Sequence, residues 1–329
     1  MRWMNNIFEV INDAKSIAIA GHIRPDGDCL GSVTGLASYI KDNYPDKNVE
    51  IFLENVPERF ADLAMVDKIV TDYPRRDPFD VFISLDCADM SRFEQAKEYF
   101  ENAALTVNID HHISNNSYAK VNHVLADSSS TAEVLFNLMD EDKISYETAR
   151  SLYTGIIHDT GVFKHSSTSP VTMNVAGKLM AKGLDVSSII DDSFYRKTYT
   201  QNQILGRCLL ESMLVLDGKV VVSALSRKMM AFYGATSEDL DGIIDQLRVT
   251  KGVEVAILIH ETGEQIYKVS MRSNGKINVN TICSYFGGGG HVRASGCMMS
   301  GSLHDVINNL TEHIEKQIKE IGGETCITE

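Results

Sequence analysis

Four short stretches of the chain carry histidine and aspartate side chains whose types could bind divalent cations. They are GHIRPDGDCLGS (21–32), SLDCAD (84–89), IDHHISN (109–115) and GIIHDTGVF (155–163). Several ionised carboxylates gathered in one cleft repel one another unless cations neutralise them. The pattern therefore predicts a cation site built from His22, Asp26, Asp28, Asp86, Asp110, His111, His112 and Asp159.

The ligand types indicate which ions would bind. Carboxylates with a minority of imidazoles and no thiolate suit Mn²⁺ or Mg²⁺, and less well Fe²⁺ or Co²⁺, better than structural zinc. The six cysteines are widely scattered and include no C-x-x-C pair, so they predict neither a disulfide framework nor a zinc knuckle. We therefore expect a reducing, cytoplasmic setting.

Alternating strands and helices must position these side chains. Apolar or β-branched runs (SIAIA, VEIFL, DVFISL, LTVNI) alternate with helical stretches at 130–139, 145–157 and 171–180. Such alternation predicts a largely parallel sheet with helices on both faces. Ligands bind beyond the carboxyl ends of such strands, and three runs end at Ala20, Leu85 and Ile109, just before the candidate residues.

The composition and pattern of the sequence change twice further along the chain. Residues 186–212 are polar and helix-prone, which predicts a helical linker. Beyond them we expect a smaller α/β domain over 213–329, after a metal-binding catalytic domain over 1–185. The predicted elements of this second domain are strands at 219–223, 253–259 and 267–271, a short helix at 279–285 and an amphipathic helix at 303–319.

The second region carries residues suited to holding phosphate. Four glycines precede His291, and glycine allows the close backbone approach that a phosphate-binding loop needs. Arginine pairs with phosphate through two hydrogen bonds. The predicted substrate-binding residues are Arg272, Ser273, Gly288, Gly289, Gly290, His291, Arg293 and Ser295. Past Asp159, we also consider Phe163, Lys164 and His165 as contacts to a base or a phosphate.

The net charge limits the class of partner. A formal charge of −14 argues against a protein that follows a long nucleic acid, because such proteins use a basic groove. We expect short substrates and no long nucleic-acid groove. The N-terminal stretch MRWMNNIFEVINDAKS mixes polar residues into a helical pattern, which predicts neither a signal peptide nor a membrane span.

The four motifs, in this order, resemble those of the DHH phosphoesterase family. GGGGHVRASG, with the upstream YKVSMRSNGKINV, resembles the DHH-associated C-terminal domain. The resemblance covers essentially the whole chain. Within the family, the length and arrangement are most similar to short-oligonucleotide nucleases, or nanoRNases, that also convert 3',5'-phosphoadenosine phosphate to AMP. The family often forms homodimers. From the arrangement of the candidate residues, we expect the metals to cut while the C-terminal domain holds the rest of the substrate across an interdomain cleft.

The resemblance also implies a role for each candidate. His22 and Asp26 would hold one metal ion, and a second set (Asp28, His111 and Asp159) would hold another. Asp86 would bridge two divalent cations, most readily Mn²⁺, with Mg²⁺ or Co²⁺ as alternatives. A hydroxide between the ions would attack phosphorus. Asp110 would orient the histidines, and His112 would face the scissile phosphate.

Other functions share part of this chemistry. A phosphodiesterase for cyclic dinucleotides, or for their linear products such as pApA, would use the same metal site. An inorganic pyrophosphatase shares the N-terminal motifs, but the GGGGH region argues against it. A long-strand exonuclease of the RecJ type would need further binding domains. A nucleotide sensor without catalysis is the alternative from a different class.

Overall fold

The computed structural model describes residues 6–324, which form two compact units. The first unit extends to Arg196 and the second begins at Lys197. No helix within the described residues is long and apolar enough to cross a membrane.

A six-stranded parallel sheet forms the centre of the first unit, as predicted. Its order is β3-β2-β1-β4-β5-β6, so the direction of winding reverses between β1 and β4. Ligands bind at such a reversal, outside the carboxyl ends of the strands. The strands are β1 (Ser16–Ala20), β2 (Asn48–Phe52), β3 (Ile69–Val70), β4 (Val81–Leu85), β5 (Leu105–Asp110) and β6 (Val121–Val124).

Side-chain caps fix where the helices of this unit begin. Asp26 caps α2, and Ser130, Ser145 and Ser169 cap α4, α5 and α6 by accepting hydrogen bonds from backbone N–H groups. A turn of π-helix, Asp191–Tyr195, follows the last helix. The helices are α1 (Phe8–Ile11), α2 (Gly27–Asn43), α3 (Lys97–Asn102), α4 (Thr131–Leu138), α5 (Tyr146–Asp159), α6 (Pro170–Met180) and α7 (Val186–Ile190).

Alternate residues of β1 enter two different cores. Ile17 and Ile19 belong to the core that includes α2, α4 and α5, whereas Ala18 and Ala20 pack with the aromatic residues on the opposite face. This two-residue period is that of a strand covered on both faces. Burial on both faces leaves the ends of the strands as the place for polar chemistry.

Two glycines let α2 and α5 pack closely. A Cβ at Gly31 would lie 2.4 Å from the carbonyl oxygen of Ser151, and one at Gly155 would lie 2.8 Å from Oδ1 of Asp28. Any larger side chain would push the helices apart. Their close approach brings the beginning of α2 to the end of α5, where Asp159 lies.

The second unit contains a mixed six-stranded sheet in the order β11-β12-β10-β9-β8-β7. Only the β8–β9 pair is parallel among the described strands of this sheet. Its strands are β7 (Met213–Val215), β8 (Val220–Leu225), β9 (Val255–Gly263), β10 (Ile266–Ser273), β11 (Gly289–His291) and β12 (Ala294–Ser300). Its helices are α8 (Tyr199–Leu210), α9 (Arg227–Tyr233), α10 (Ile243–Arg248), α11 (Val279–Tyr285) and α12 (Leu303–Glu324).

Residues 186–212 contain α7, the π-helical turn and α8, with no strand among them. They are shared between the units, because α7 lies in the first and α8 in the second. The glycine run differs from a simple loop: Gly289–His291 forms the edge strand β11, paired with β12. Gly290 has φ 150°, and a Cβ there would lie 2.5 Å from the carbonyl oxygen of Ala294.

Candidate active site

His22 follows β1 and is oriented by its own loop. Its Nδ1–H donates to the carbonyl oxygen of Ile23 at 2.8 Å, which leaves Nε2 facing the carboxylates. That nitrogen lies 3.7 Å from Oδ1 of Asp26 and 3.5 Å from Oδ2 of Asp86. A second hydrogen bond that fixes the tautomer in this way is typical of histidines that bind metal.

Asp86 lies at the end of β4 between two groups of side chains. While its Oδ2 faces His22, its Oδ1 lies 3.7 Å from Nε2 of His111 and 3.5 Å from Nδ1 of His112. Its backbone has φ 58°, in the left-handed region that costs most residues energy. The carboxylate is nearly fully buried and lies between the two groups of side chains.

Asp28 is fully buried at the beginning of α2. Its two oxygens accept hydrogen bonds from the first N–H groups of α4: Thr131 N donates to Oδ2 at 2.7 Å and Ala132 N to Oδ1 at 3.0 Å. The positive end of the helix dipole stabilises a carboxylate in this position. Since a carboxylate has about four lone-pair sites, Asp28 can accept both bonds and still bind a cation.

His111 and Asp159 meet on the other side of Asp86. Nε2 of His111 lies 3.1 Å from Oδ2 of Asp159 and 3.9 Å from Oδ2 of Asp28. Its other nitrogen, Nδ1, donates to the carbonyl oxygen of Ser128 at 3.4 Å. His111 is therefore held in the same tautomer as His22, with Nε2 facing the carboxylates.

Asp110 is fully buried and holds the two histidines that follow it. Its Oδ1 accepts hydrogen bonds from the backbone N–H groups of His111 and His112, and from Nδ1 of His112 at 2.7 Å. Its Oδ2 accepts from Nδ2 of Asn115 at 2.6 Å. The side chain of His112 is 42% exposed, so its Nε2 is available to a ligand.

Burial and neighbouring charges shift the pKa values of Asp28, Asp159 and His22. Burial raises the pKa of Asp28 well above its usual range, and the charges of Asp86 and Asp159 add to the rise. Burial is also the largest cause for Asp159, whose pKa rises to about 7. For His22, burial lowers the pKa, but the neighbouring carboxylates of Asp26 and Asp86 outweigh it and raise the pKa to about 10.

The hydrogen bond to Asp110 raises the pKa of His112 to about 9, against the opposing effect of burial. Burial opposes ionisation of Asp110, but hydrogen bonds from His112 and Asn115 lower its pKa. The pair is therefore favoured as carboxylate and imidazolium.

The clustered donors fit divalent cations. Among the described residues, three groups bring their ligand atoms within 4.8 Å of one another: His22 with Cys29 and Asp86; Asp86 with His111 and His112; and Asp28 with His111 and Asp159. Cys29 offers a buried thiol, whose pKa is raised by burial, and the other members offer oxygen or nitrogen. Their oxygen and nitrogen donors are of the types that Mn²⁺ and Mg²⁺ accept, and positive charge would offset the repulsion that raises the carboxylate pKa values. Asp86 belongs to two of the groups.

In the second unit, the end of β10 places Arg272 beside the adjoining strand. Its guanidinium donates to the carbonyl oxygen of Met271 at 3.2 Å. The hydroxyl of the buried Ser273 accepts from the N–H of Gly275 at 3.0 Å, and Ser273 N donates to the carbonyl oxygen of Arg293 at 2.9 Å. These contacts join the end of β10 to the residue just before β12.

The glycine run and its neighbours present polar groups at this edge of the sheet. Gly288 N donates to the carbonyl oxygen of Cys283 at 2.8 Å, which ties the run to α11. His291 and Arg293 have exposed side chains, while Ser295 is buried. The predicted substrate residues of this unit therefore lie together around β10, β11 and β12, with the two exposed side chains accessible to a ligand.

The turn after Asp159 has an unusual backbone. Gly161, Val162 and Phe163 all have positive φ values, of 56°, 56° and 63°. For a β-branched residue such as Val162 this conformation is strained. Phe163 packs against the first core, whereas Lys164 and His165 are exposed. Of the contacts predicted from the sequence in this turn, Lys164 and His165 are therefore accessible to a ligand.

Two contributors to the site were not identified from the sequence. Asn115 holds Asp110, and Thr131 donates its hydroxyl hydrogen to Oδ1 of Asp86 at 3.1 Å. Asn115 lies within the quoted IDHHISN stretch, and Thr131 is the second residue of the helix predicted at 130–139. Those positions were the available signals, but neither residue type by itself indicates a partner distant in the sequence.

Comparison with known proteins assigns both units. The DHH family, N-terminal domain, matches residues 16–156, and the DHHA1 domain matches residues 217–320. The chain is also similar over 94% of its length to the crystal structure of an exopolyphosphatase-related protein from Bacteroides fragilis. That likeness covers 94% of the other chain, with a TM-score of 0.84 and 24% identity, and it concerns the fold.

Curated relatives cover most of the chain as well. A bifunctional oligoribonuclease and PAP phosphatase NrnA from Thermus thermophilus is 27% identical over 324 residues, which is 97% of this chain and 95% of the relative. The protein of the same description from Bacillus subtilis is 25% identical over 287 residues, or 85% and 88% of the two chains. The chain is thus a hydrolase that belongs to the DHH family of phosphoesterases, with a DHHA1 domain following its DHH domain.

Proposed function

We propose that this chain hydrolyses short oligoribonucleotides of two to a few nucleotides to mononucleotides, and 3',5'-phosphoadenosine phosphate to AMP. The observation that carries the proposal is the position of Asp86, whose two oxygens face His22 on one side and His111 on the other. The descriptions of the relatives as oligoribonuclease and PAP phosphatase support the choice of substrates.

The first unit would carry out the hydrolysis. His22, Asp26 and Asp86 would hold one cation, and Asp28, Asp86, His111 and Asp159 would hold a second, most readily Mn²⁺. Bound there, divalent cations supply a water of lowered pKa and neutralise charge on the phosphate.

The residues of the chain itself orient the reacting phosphate. Asp110 holds Nδ1 of His112 at 2.7 Å, which leaves Nε2 for a non-bridging phosphate oxygen or the leaving group. Because Asp110 is in turn held by Asn115, the imidazole has a fixed direction. Burial of Asp28, Asp86 and Asp110 keeps these carboxylates from relaxing into water.

The second unit would bind the remainder of the nucleotide. Arg272, His291 and Arg293 provide positive or hydrogen-bonding side chains, and the glycine run provides accessible backbone. So few basic contacts favour short substrates, because long strands depend on many phosphate contacts.

Five described cysteines are free, which supports a reducing setting such as the cytoplasm.

A substrate panel tests the proposal. The purified chain would receive Mn²⁺ and, separately, linear diadenylate, a five-residue RNA, a long RNA, phosphoadenosine phosphate, cyclic di-AMP or pyrophosphate, with products separated by chromatography. We expect AMP from diadenylate and phosphoadenosine phosphate, mononucleotides from the short RNA, and little product from the long RNA. Dominant hydrolysis of cyclic di-AMP or pyrophosphate would overturn the choice of substrate, and no hydrolysis in any reaction would favour a sensor.

A further inference from the structure

Thr131, the first residue of α4, contacts two of the candidate ligand carboxylates at once. Its backbone N–H donates to Oδ2 of Asp28 at 2.7 Å, and its hydroxyl donates to Oδ1 of Asp86 at 3.1 Å. All three residues are buried. Asp28 lies in the first turn of α2 and Asp86 directly follows β4, so one residue links carboxylates from two separate elements.

The hydroxyl of Thr131 lies closer to the Asp86 carboxylate than the three neighbouring imidazoles do. The imidazole nitrogens of His22, His111 and His112 lie 3.5 to 3.7 Å from its oxygens, which is beyond a good hydrogen bond. A threonine hydroxyl can fix the direction of a carboxylate without adding charge. The remaining lone pairs of Asp86 stay free for other ligands.

The local sequence explains why Thr131 is held so well. Ser130 caps α4, with its Oγ accepting from the N–H of Glu133, so the first N–H groups of the helix are free to donate to Asp28. The branched Cβ of Thr131 restricts its side-chain rotation within the helix. Thr131 thus makes both its backbone bond to Asp28 and its hydroxyl bond to Asp86 from the capped end of α4.

We propose that Thr131 is a positioning residue that aligns the Asp86 carboxylate between the two ligand groups while its backbone N–H holds Asp28. The inference rests on the proposed function, in which both aspartates bind the divalent cations. Residues that orient metal ligands typically change affinity or activity by about 10- to 100-fold when they are replaced. Thr131 would act through Asp86 and would not itself touch the substrate.

Two substitutions separate the hydroxyl from the rest of the residue. Thr131→Val keeps the shape and the backbone N–H but removes the hydroxyl, whereas Thr131→Ser keeps the hydroxyl. Thr34→Val is the matched control, because Thr34 is also buried in a helix and its hydroxyl donates only to the carbonyl oxygen of Leu30 among the described contacts, at 2.7 Å. Circular dichroism and thermal unfolding would establish that each variant folds.

Calorimetric titration of the full chelator-treated chain with MnCl₂ gives the decisive readout, beside kcat and KM for diadenylate. We expect Thr131→Val to weaken Mn²⁺ binding about tenfold and to lower kcat, with Thr131→Ser within about threefold of the wild type. Thr34→Val should bind Mn²⁺ normally. If Thr131→Val does not fold, Thr131→Ala takes its place in the comparison.

The outcomes distinguish this inference from the proposed function. Normal Mn²⁺ binding by Thr131→Val, or equal weakening by Thr34→Val, would overturn the positioning role even if the wild type hydrolyses diadenylate. Weakened binding that Thr131→Ser restores would support it, even if no substrate in the panel were hydrolysed and the proposed function failed. A wild-type chain that binds neither Mn²⁺ nor Mg²⁺ would overturn both.

Discussion

Nδ2 of Asn115 donates a 2.6 Å hydrogen bond to Oδ2 of Asp110, leaving Oδ1 of that buried carboxylate to hold His112. The same amide nitrogen also lies within hydrogen-bonding distance of the side-chain oxygen of Asn108 and the carbonyl oxygen of Cys87. The direction of the His112 imidazole thus depends in part on Asn115, which is not among the candidate cation ligands.

Replacement of Asn115 should lower the rate of catalysis more than it weakens substrate binding. In Asn115→Ala, Asp110 loses the donor on Oδ2 and can rotate, so His112 is less well directed. We expect kcat for diadenylate to fall about tenfold while KM changes less than about threefold. Steady-state kinetics would measure both. Asn122→Ala is a control, because that amide contacts the backbone of Ala119, and an equal loss there would contradict the argument.

Arg272→Ala should mainly weaken substrate binding. Loss of a charged hydrogen bond to phosphate costs about 1.5–3 kcal/mol, which corresponds to a KM roughly 10- to 100-fold higher. We expect kcat with saturating diadenylate to stay within about threefold, because binding of the nonreacting phosphate contributes equally before and during reaction. Arg248→Ala, which removes an arginine paired with Asp245 in the same unit, should leave KM unchanged. An unchanged KM in Arg272→Ala would rule out the contact.

Removal of divalent cations should lower the thermal stability of the chain. Without them, the neighbouring carboxylates of Asp28, Asp86 and Asp159 repel one another, as the raised pKa values of Asp28 and Asp159 indicate. Free Mn²⁺ at about 100 times its Kd would contribute about 2.7 kcal/mol, and each kcal/mol raises Tm by about 2–4 °C in a domain of this size. Differential scanning calorimetry of chelator-treated protein, with and without MnCl₂, measures the shift. An unchanged Tm would contradict the cation site.

His260 should make the stability of the second unit depend on pH. It is buried in β9 opposite Lys268 of β10, and burial followed by the charge of Lys268 lowers its pKa. Because the unfolded chain binds the proton more readily, stability decreases as pH falls through the ordinary histidine range, near 6.5. We expect His260→Gln to show a smaller loss of unfolding free energy between pH 7.5 and 5 in urea titrations. An identical loss in both proteins would exclude this contribution.

The strands that carry the candidate ligands could be predicted because their local signal is strong. SIAIA is an uninterrupted apolar run, and the structure forms β1 over those residues. Chemistry-bearing residues at the ends of parallel strands must gather at one edge of the sheet, so the grouping around Asp86 follows from topology. The helices predicted at 130–139, 145–157, 171–180 and 279–285 agree with the structure to within two residues at each end, whereas α12 continues to Glu324, five residues past its predicted end.

Other features depend on contacts that local patterns do not encode. Thr131 meets Asp86 and Asp28 from 45 and 103 residues away, so its role follows only from the packing of α4. The short strand Gly289–His291 contains two glycines, which have low strand propensity, and it forms because β12 provides an edge to pair with. In both cases, the tertiary fold determines what the local sequence leaves open.

The central claim is that Asp86 is needed for hydrolysis, and one comparison tests it most directly. Linear diadenylate is given to the wild-type chain and to Asp86→Asn, each with saturating MnCl₂ and with a matching circular dichroism spectrum. Asparagine keeps the shape of Asp86 but removes the negative charge that faces His22 and His111. The account predicts AMP as the product of the wild type and a rate lower by roughly a thousandfold in the variant, as for loss of a central catalytic group. A folded Asp86→Asn that forms AMP at nearly the wild-type rate would contradict it.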